Sequence, residues 1–181
     1  MKATGIVRRI DELGRVVIPK EIRRTLRIRE GDPLELFTDR DELMLKKYSP
    51  IASIERFAES TAKSLNEQSG YLAVICDTDA VLAAYGPNKK SFTGKRVSEK
   101  MTEVMNSRRC YLANKAEGGD VFPIDAEGET GISAQIVVPI VSNGDCLGAA
   151  VLLSFEEGAL MEPAAVKLAR LTADIIANQF E

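Results

Sequence analysis

Between Gly5 and Arg29, apolar residues are set among cations. Ile6, Val7, Ile10, Leu13, Val16 to Ile18, Ile22, Leu26 and Ile28 share the stretch with Arg8, Arg9, Arg15, Lys20, Arg23, Arg24, Arg27 and Arg29. A disordered basic tail lacks the apolar positions that offset its ordering entropy, so the pattern predicts a small folded unit with a basic face. Residues 4–10 read as a strand, Asp11 to Gly14 as a turn with a positive φ at Gly14, and Arg15 to Ile18 as a second strand. Pro19 ends that strand and opens a short helix, Lys20 to Leu26, in which Ile22 and Leu26 share a buried face and Arg23, Arg24 and Arg27 point away. After a Gly31–Pro33 turn, Leu34 to Thr38 alternates as a half-buried strand, and Leu43 to Lys47 returns past a polar turn at 39–42. A unit of roughly 48 residues without disulfide or metal is marginal alone, and its strands leave open edges; it is expected to close its core by dimerising.

Tyr48-Ser49-Pro50 breaks this pattern, and the periodicity then becomes helical. Ile54, Phe57, Ala58, Thr61, Ala62 and Leu65 recur at spacings of three and four, with Ser53 as the expected N-cap and Gly70 as the stop. Strands follow at Tyr71–Cys76 and Ala80–Tyr85, joined by Asp77-Thr78-Asp79, then a loop from Gly86 to Lys90. A helix is predicted over Ser98–Arg108 with Ser98 as cap, and a short strand over Cys110–Ala113. Glu117 to Gly131 holds four glycines and five carboxylates and reads as a mobile loop. Two long strands, Ile132–Val141 and Cys146–Phe155, are joined through Asn143-Gly144, the strongest short hairpin signal in the chain. In a last helix, Leu160 to Phe180, the residues Ala164, Leu168, Leu171 and Ile175 recur as a coiled-coil-like seam. The stripes on this helix and on 53–68 are read as domain core or as seams against the same helices of a second chain. The domains are accordingly 1–50, a connector helix at 51–69, and 70–181.

Charge sharpens the division. Residues 1–50 carry 12 Lys and Arg against 9 Asp and Glu, a net of +3, and the remainder 12 against 18, a net of −6. Only the first part is suited to a polyanion, and the acidic total is no objection, because the local field decides. Arginine outnumbers lysine seven to one between Gly5 and Arg29. Its planar fork matches phosphates and the guanine edge. No apolar run approaches the roughly 20 residues that span a bilayer. With no signal-peptide pattern at the N-terminus and three dispersed cysteines, a cytoplasmic protein with reduced thiols is expected.

Candidate chemistry is sparse. The chain has no histidine, which removes the commonest general base and metal ligand. Cys76, Cys110 and Cys146 are too scattered for a zinc motif and are read as buried, inert thiols. There is no phosphate loop or dinucleotide fingerprint. Asp77 and Asp79 are read as turn residues ahead of a cation site, and Gly94-Lys95-Arg96 as an ordinary basic loop ahead of an anion site. No enzyme activity, cofactor or metal is expected.

The ordered motif GRVVIPKEIR at Gly14–Arg23, followed by GDPLE at Gly31–Glu35, resembles the AbrB family of swapped-hairpin DNA-binding domains. That resemblance implies an α+β chain whose first part forms a swapped-hairpin β-barrel shared by two chains. It also implies double-stranded DNA as partner, contacted by Arg8, Arg15, Arg23 and Arg24, with Arg9 beside Arg8 in the same set. The second part, with the hairpin PIVSNGDCLGA at Pro139–Ala149, resembles a GAF domain, an antiparallel sheet flanked by helices that in other proteins senses small molecules. This domain order resembles that of a family of sporulation regulators. A homodimer or homotetramer is implied, located at the nucleoid, with a ligand of the GAF-like domain left open. The alternative is the antidote of a toxin–antitoxin pair, which shares the same DNA-binding core.

Overall fold

Chain contacts gather into two units, Met1–Tyr48 and Ser49–Glu181. The computed structural model describes residues 5–40, 42–51, 55–87, 92–128 and 131–180. Thr4, Ser53, Ile54, the loop residues 88–90 and Glu129, all named above, lie outside the described residues.

In the first unit, α1 (Lys20–Thr25) follows Pro19, whose fixed φ suits a helix start and whose missing N–H is no loss there. Strands β1 (Leu34–Asp39) and β2 (Glu42–Lys47) form an antiparallel hairpin with Leu36 opposite Leu45 and Phe37 opposite Met44. Asp32 organises the turn before β1, accepting from the Arg29 amide at 2.8 Å and facing Lys47 Nζ at 3.3 Å.

The strands expected at 4–10 and 15–18 do not form ladders within the described residues of one chain. The two segments meet at their turn, where the Asp11 amide donates to the Arg15 carbonyl at 3.0 Å and the Gly14 amide to the Asp11 carbonyl at 3.0 Å. A ladder needs a neighbouring strand, and among the described residues no strand pairs with either segment. The expected buried face of α1 is corrected for the same reason. Ile22 is half-buried and Leu26 is 53% exposed. No described residue from Gly5 to Pro50 is buried.

The second unit is a five-stranded antiparallel sheet between two layers. Its strands are β3 (Leu72–Asp77), β4 (Val81–Tyr85), β5 (Tyr111–Asn114), β6 (Ala134–Ser142) and β7 (Asp145–Ser154), in the order β4-β3-β7-β6-β5. Helices α2 (Glu55–Ser69) and α4 (Pro163–Ala177) cover one face, over Ala73, Ile75, Ile136, Ile140, Ala150 and Leu152. Helix α3 (Glu99–Ser107) and the segment around Phe122 and Ile124 cover the other, over Val74, Cys76, Val137 and Val151. With both faces covered, β3, β6 and β7 are almost continuously apolar. Helix α2, expected as a connector, packs on β3, β4 and α4 within this unit.

Local rules account for the joints. Ser98 Oγ accepts the Met101 amide at 3.1 Å, so α3 begins on a side-chain cap as expected. Asn143 and Gly144 have φ of 50° and 86°, the two positive values that a primed hairpin turn between β6 and β7 requires. The last helix starts at Pro163, not Leu160, consistent with proline's place in a first turn. The expected mobile loop is corrected for its described part, 117–128: Phe122 and Ile124 are buried, the Phe122 amide donates to Gln135 Oε1 at 2.8 Å, and the Tyr111 and Phe122 rings lie 5.1 Å apart.

Of the two readings of the α4 stripe, domain core does not hold for Leu171 and Ile175. The buried residues of α4 include Ala165, Ala169, Thr172, Ala173 and Ile176, one position round from the expected stripe; Leu171 is 56% and Ile175 43% exposed. Small residues let α4 lie close to α2, which contributes Ala58 and Ala62 to the same core.

Gly148 sits opposite Asp77 where β7 pairs with β3. A Cβ there would run into the Cys76 carbonyl oxygen and lie 2.9 Å from the Asp77 Cα, both backbone atoms in a neighbouring strand. Gly148→Ala is expected to cost about 3 kcal/mol, because neither strand can yield without breaking the ladder. Urea unfolding of the full chain, followed on the transition of the second unit, measures it.

Candidate nucleic-acid interface

The five arginines singled out from the sequence are all exposed, on three local supports. Arg8 and Arg9 lie in the extended segment before the first turn, and Arg8 Nη1 donates to the Val7 carbonyl at 3.1 Å. Arg15 follows the turn. Arg23 and Arg24 occupy the last turn of α1, where cations complement the carbonyl end of a helix. Among the described residues Arg8, Arg9, Arg23 and Arg24 have no ion-pair partner.

Arg15 differs. Asp11 Oδ1 accepts the Leu13 amide at 3.0 Å and the Arg15 amide at 2.8 Å, and Asp11 Oδ2 accepts Arg15 Nε at 2.7 Å. These bonds, the Arg15 amide first and its guanidinium second, hold the Asp11 carboxyl below its ordinary value of 3.8. The turn and its arginine are thus one hydrogen-bonded piece around a single carboxylate. From sequence Asp11 was legible only as a turn residue.

The second unit offers less chemistry. Asp77 Oδ1 accepts the Asp79 and Ala80 amides, each at 2.7 Å, which is turn work. Lys95 Nζ lies 2.9 Å from Glu127 and 3.9 Å from Asp125, so this basic loop is answered by its own carboxylates. Among the described residues no group of three or more Cys, Asp or Glu is placed to hold a metal. All three cysteines are free thiols; Cys76 is buried, while Cys110 and Cys146 are half-buried, less than expected. Burial pushes the Cys76 and Cys146 thiols up, away from the reactive thiolate. The sheet face under α3 is filled by Phe92, Met101, Met105, Phe122 and Ile124. A cleft of about 440 Å³ lies between α2 and β4, lined by Arg56, Glu59, Lys63 and Tyr85 among others. No described helix is long and apolar enough to cross a membrane.

Comparison with known proteins covers the whole chain. The family described as "Stage V sporulation protein T C-terminal, transcription factor" matches residues 53–181, and "Antidote-toxin recognition MazE, bacterial antitoxin" matches residues 7–53. The chain is 47% identical over 183 residues to stage V sporulation protein T of Bacillus subtilis (strain 168), spanning 100% of this chain and 99% of that protein. It is 49% identical over 74 residues to the transition state regulatory protein AbrB of the same organism, spanning 41% of this chain and 77% of that protein. In fold it is similar to the blue-light absorbing form of the PixJ GAF-domain of Thermosynechococcus elongatus. That crystal structure matches at 12% identity over 72% of this chain and 88% of the other, with a TM-score of 0.55.

Proposed function

This chain belongs to the stage V sporulation protein T family of transcription factors, and we propose that it regulates sporulation genes by binding double-stranded DNA through Arg8, Arg9, Arg15, Arg23 and Arg24. The observation that carries this reading is the set of exposed arginines on a unit in which no described residue is buried. Four of them have no carboxylate partner among the described residues, and a phosphate backbone supplies the missing anions. Two chains close the unit by interleaving the segments at 5–10 and 15–18, which join no ladder among the described residues, into a shared barrel. The dimer then carries two copies of each arginine, matched to a two-fold site on DNA. The full chain is expected to retain mixed duplex fragments on a filter and to release them steeply as salt rises. Retention indifferent to salt would count against the proposal.

The second unit senses or assembles. Its GAF-like fold is compatible with a small-molecule ligand. The α4 face bearing Leu168, Leu171 and Ile175 is proposed as a seam against the same helix of another chain. If the barrel and the seam join the same two chains the protein is a dimer; if they join different chains it is a tetramer. Leu171→Glu is expected to reduce the mass measured by light scattering, or to loosen the dimer, and to lower the melting of the second unit only as far as the lost association requires. An unchanged mass and dissociation constant would remove the seam. The antidote reading fits residues 7–53 equally well, but an antidote's wrapping arm is not a five-stranded sheet covered on both faces. Limited proteolysis separates them: a compact fragment beginning near residue 49 is the regulator's signature.

A further inference from the structure

We infer that Asp11 is a positioning residue for DNA reading: by fixing the Arg15 guanidinium it turns that arginine from a phosphate counter-ion into a reader of base edges. The inference rests on the DNA-binding reading above. Its ground is a contrast among the five arginines. Among the described residues four carry an unopposed charge, which is what phosphate neutralisation calls for. The fifth is paired at 2.7 Å with a carboxylate, which cancels much of its use as a counter-ion and sets a negative charge against the backbone it would approach.

The same pair gives Arg15 something the others lack. A flexible arginine side chain loses rotamer freedom when it binds, whereas one already held loses less. Asp11 accepts three hydrogen bonds, from the Leu13 amide, the Arg15 amide and Arg15 Nε, so it fixes the turn and the side chain together. Gly14, at φ 74°, closes that turn back on the Asp11 carbonyl. Only Nε is engaged. The two Nη groups of a side chain that is 70% exposed remain to donate. A fork presented in a fixed orientation is the geometry that pairs bidentately with guanine O6 and N7 in the major groove.

The test uses the full chain and two duplexes: one that the wild type enriches from fragmented genomic DNA, and a shuffled duplex of the same length and composition. Each is titrated across a salt series. Asp11→Asn keeps an oxygen for the two amides and removes the ionic tie. Its preference for the enriched duplex is expected to fall tenfold or more, while binding to the shuffled duplex holds or tightens and its salt slope is not shallower. In an Arg15→Ala background the same change should leave the preference where Arg15→Ala alone puts it. A preference unchanged in Asp11→Asn, or equal losses on both duplexes, would show that Asp11 only builds the turn and would overturn the inference. If the wild type bound neither duplex with salt dependence, the DNA-binding reading itself would fall.

Discussion

Leu36→Asp is expected to unfold the residue 1–48 unit and to abolish DNA binding, while residues 49–181 keep their own unfolding transition. In one chain Leu36 is 62% exposed, on a β1–β2 hairpin whose same face carries Leu43 and Leu45, also exposed. At an exposed position a charge should change stability by no more than about 0.5 kcal/mol. A shared core changes the sign of that expectation. The substitution then forfeits about 2 kcal/mol of leucine burial in each chain. It also strands a carboxylate in the core, at several kcal/mol per ion, and the dimer contains two of them. Whole domains hold only about 5–15 kcal/mol, so a unit this small cannot absorb the loss. Circular dichroism melts at several protein concentrations measure it. The wild-type first transition should rise with concentration, as association requires, and should vanish in the variant. A variant that melted like wild type would mean that this hairpin stays open to solvent.

Replacing Arg23 and Arg24 together by alanine should lower affinity for duplex DNA by at least two orders of magnitude at physiological salt, with the fold intact. Both are exposed in the last turn of α1 and unpaired among the described residues, so no packing or ion pair is lost. Alanine is the best helix former, so α1 itself is not weakened. In the proposed dimer four cations are lost. If all four face phosphates, the slope of log affinity against log salt becomes shallower by between three and four. If one pair reads guanine, part of the loss is confined to preferred sites, at about 1–3 kcal/mol per base contact. Gel-filtration mass and the melting transition of the variant verify that the dimer persists.

How much was legible depended on where each feature's partner lay. The Asn143-Gly144 turn and the Ser98 cap need only neighbours in sequence, and both stand as expected. The motif at Gly14–Arg23 announced its family for the same reason. Residues 5–10 and 15–18 carry strand composition without a ladder in one chain, because pattern records a preference and not the chain that satisfies it. On α4 the sequence shows two apolar stripes one residue apart. Larger residues drew attention to Leu168, Leu171 and Ile175, whereas the close approach to α2 and the sheet selected alanines. The acidic, glycine-rich stretch at 117–131 concealed Phe122 and Ile124; Phe122 is held by Gln135 and Tyr111 in other strands. At the interface the arginines were visible by type, but the bonds from Arg15 to Asp11 exist only in three dimensions.

The central claim is that this chain meets DNA through the arginines of its first unit. The most direct measurement is binding to mixed genomic fragments across a salt series, by the wild type and by Arg23→Ala/Arg24→Ala, each at a concentration where it is dimeric. The account predicts a steep salt slope for the wild type and a much weaker, shallower dependence for the variant. Tight, equally salt-sensitive binding by the variant would contradict it, leaving those arginines as a solvated face and moving DNA contact elsewhere.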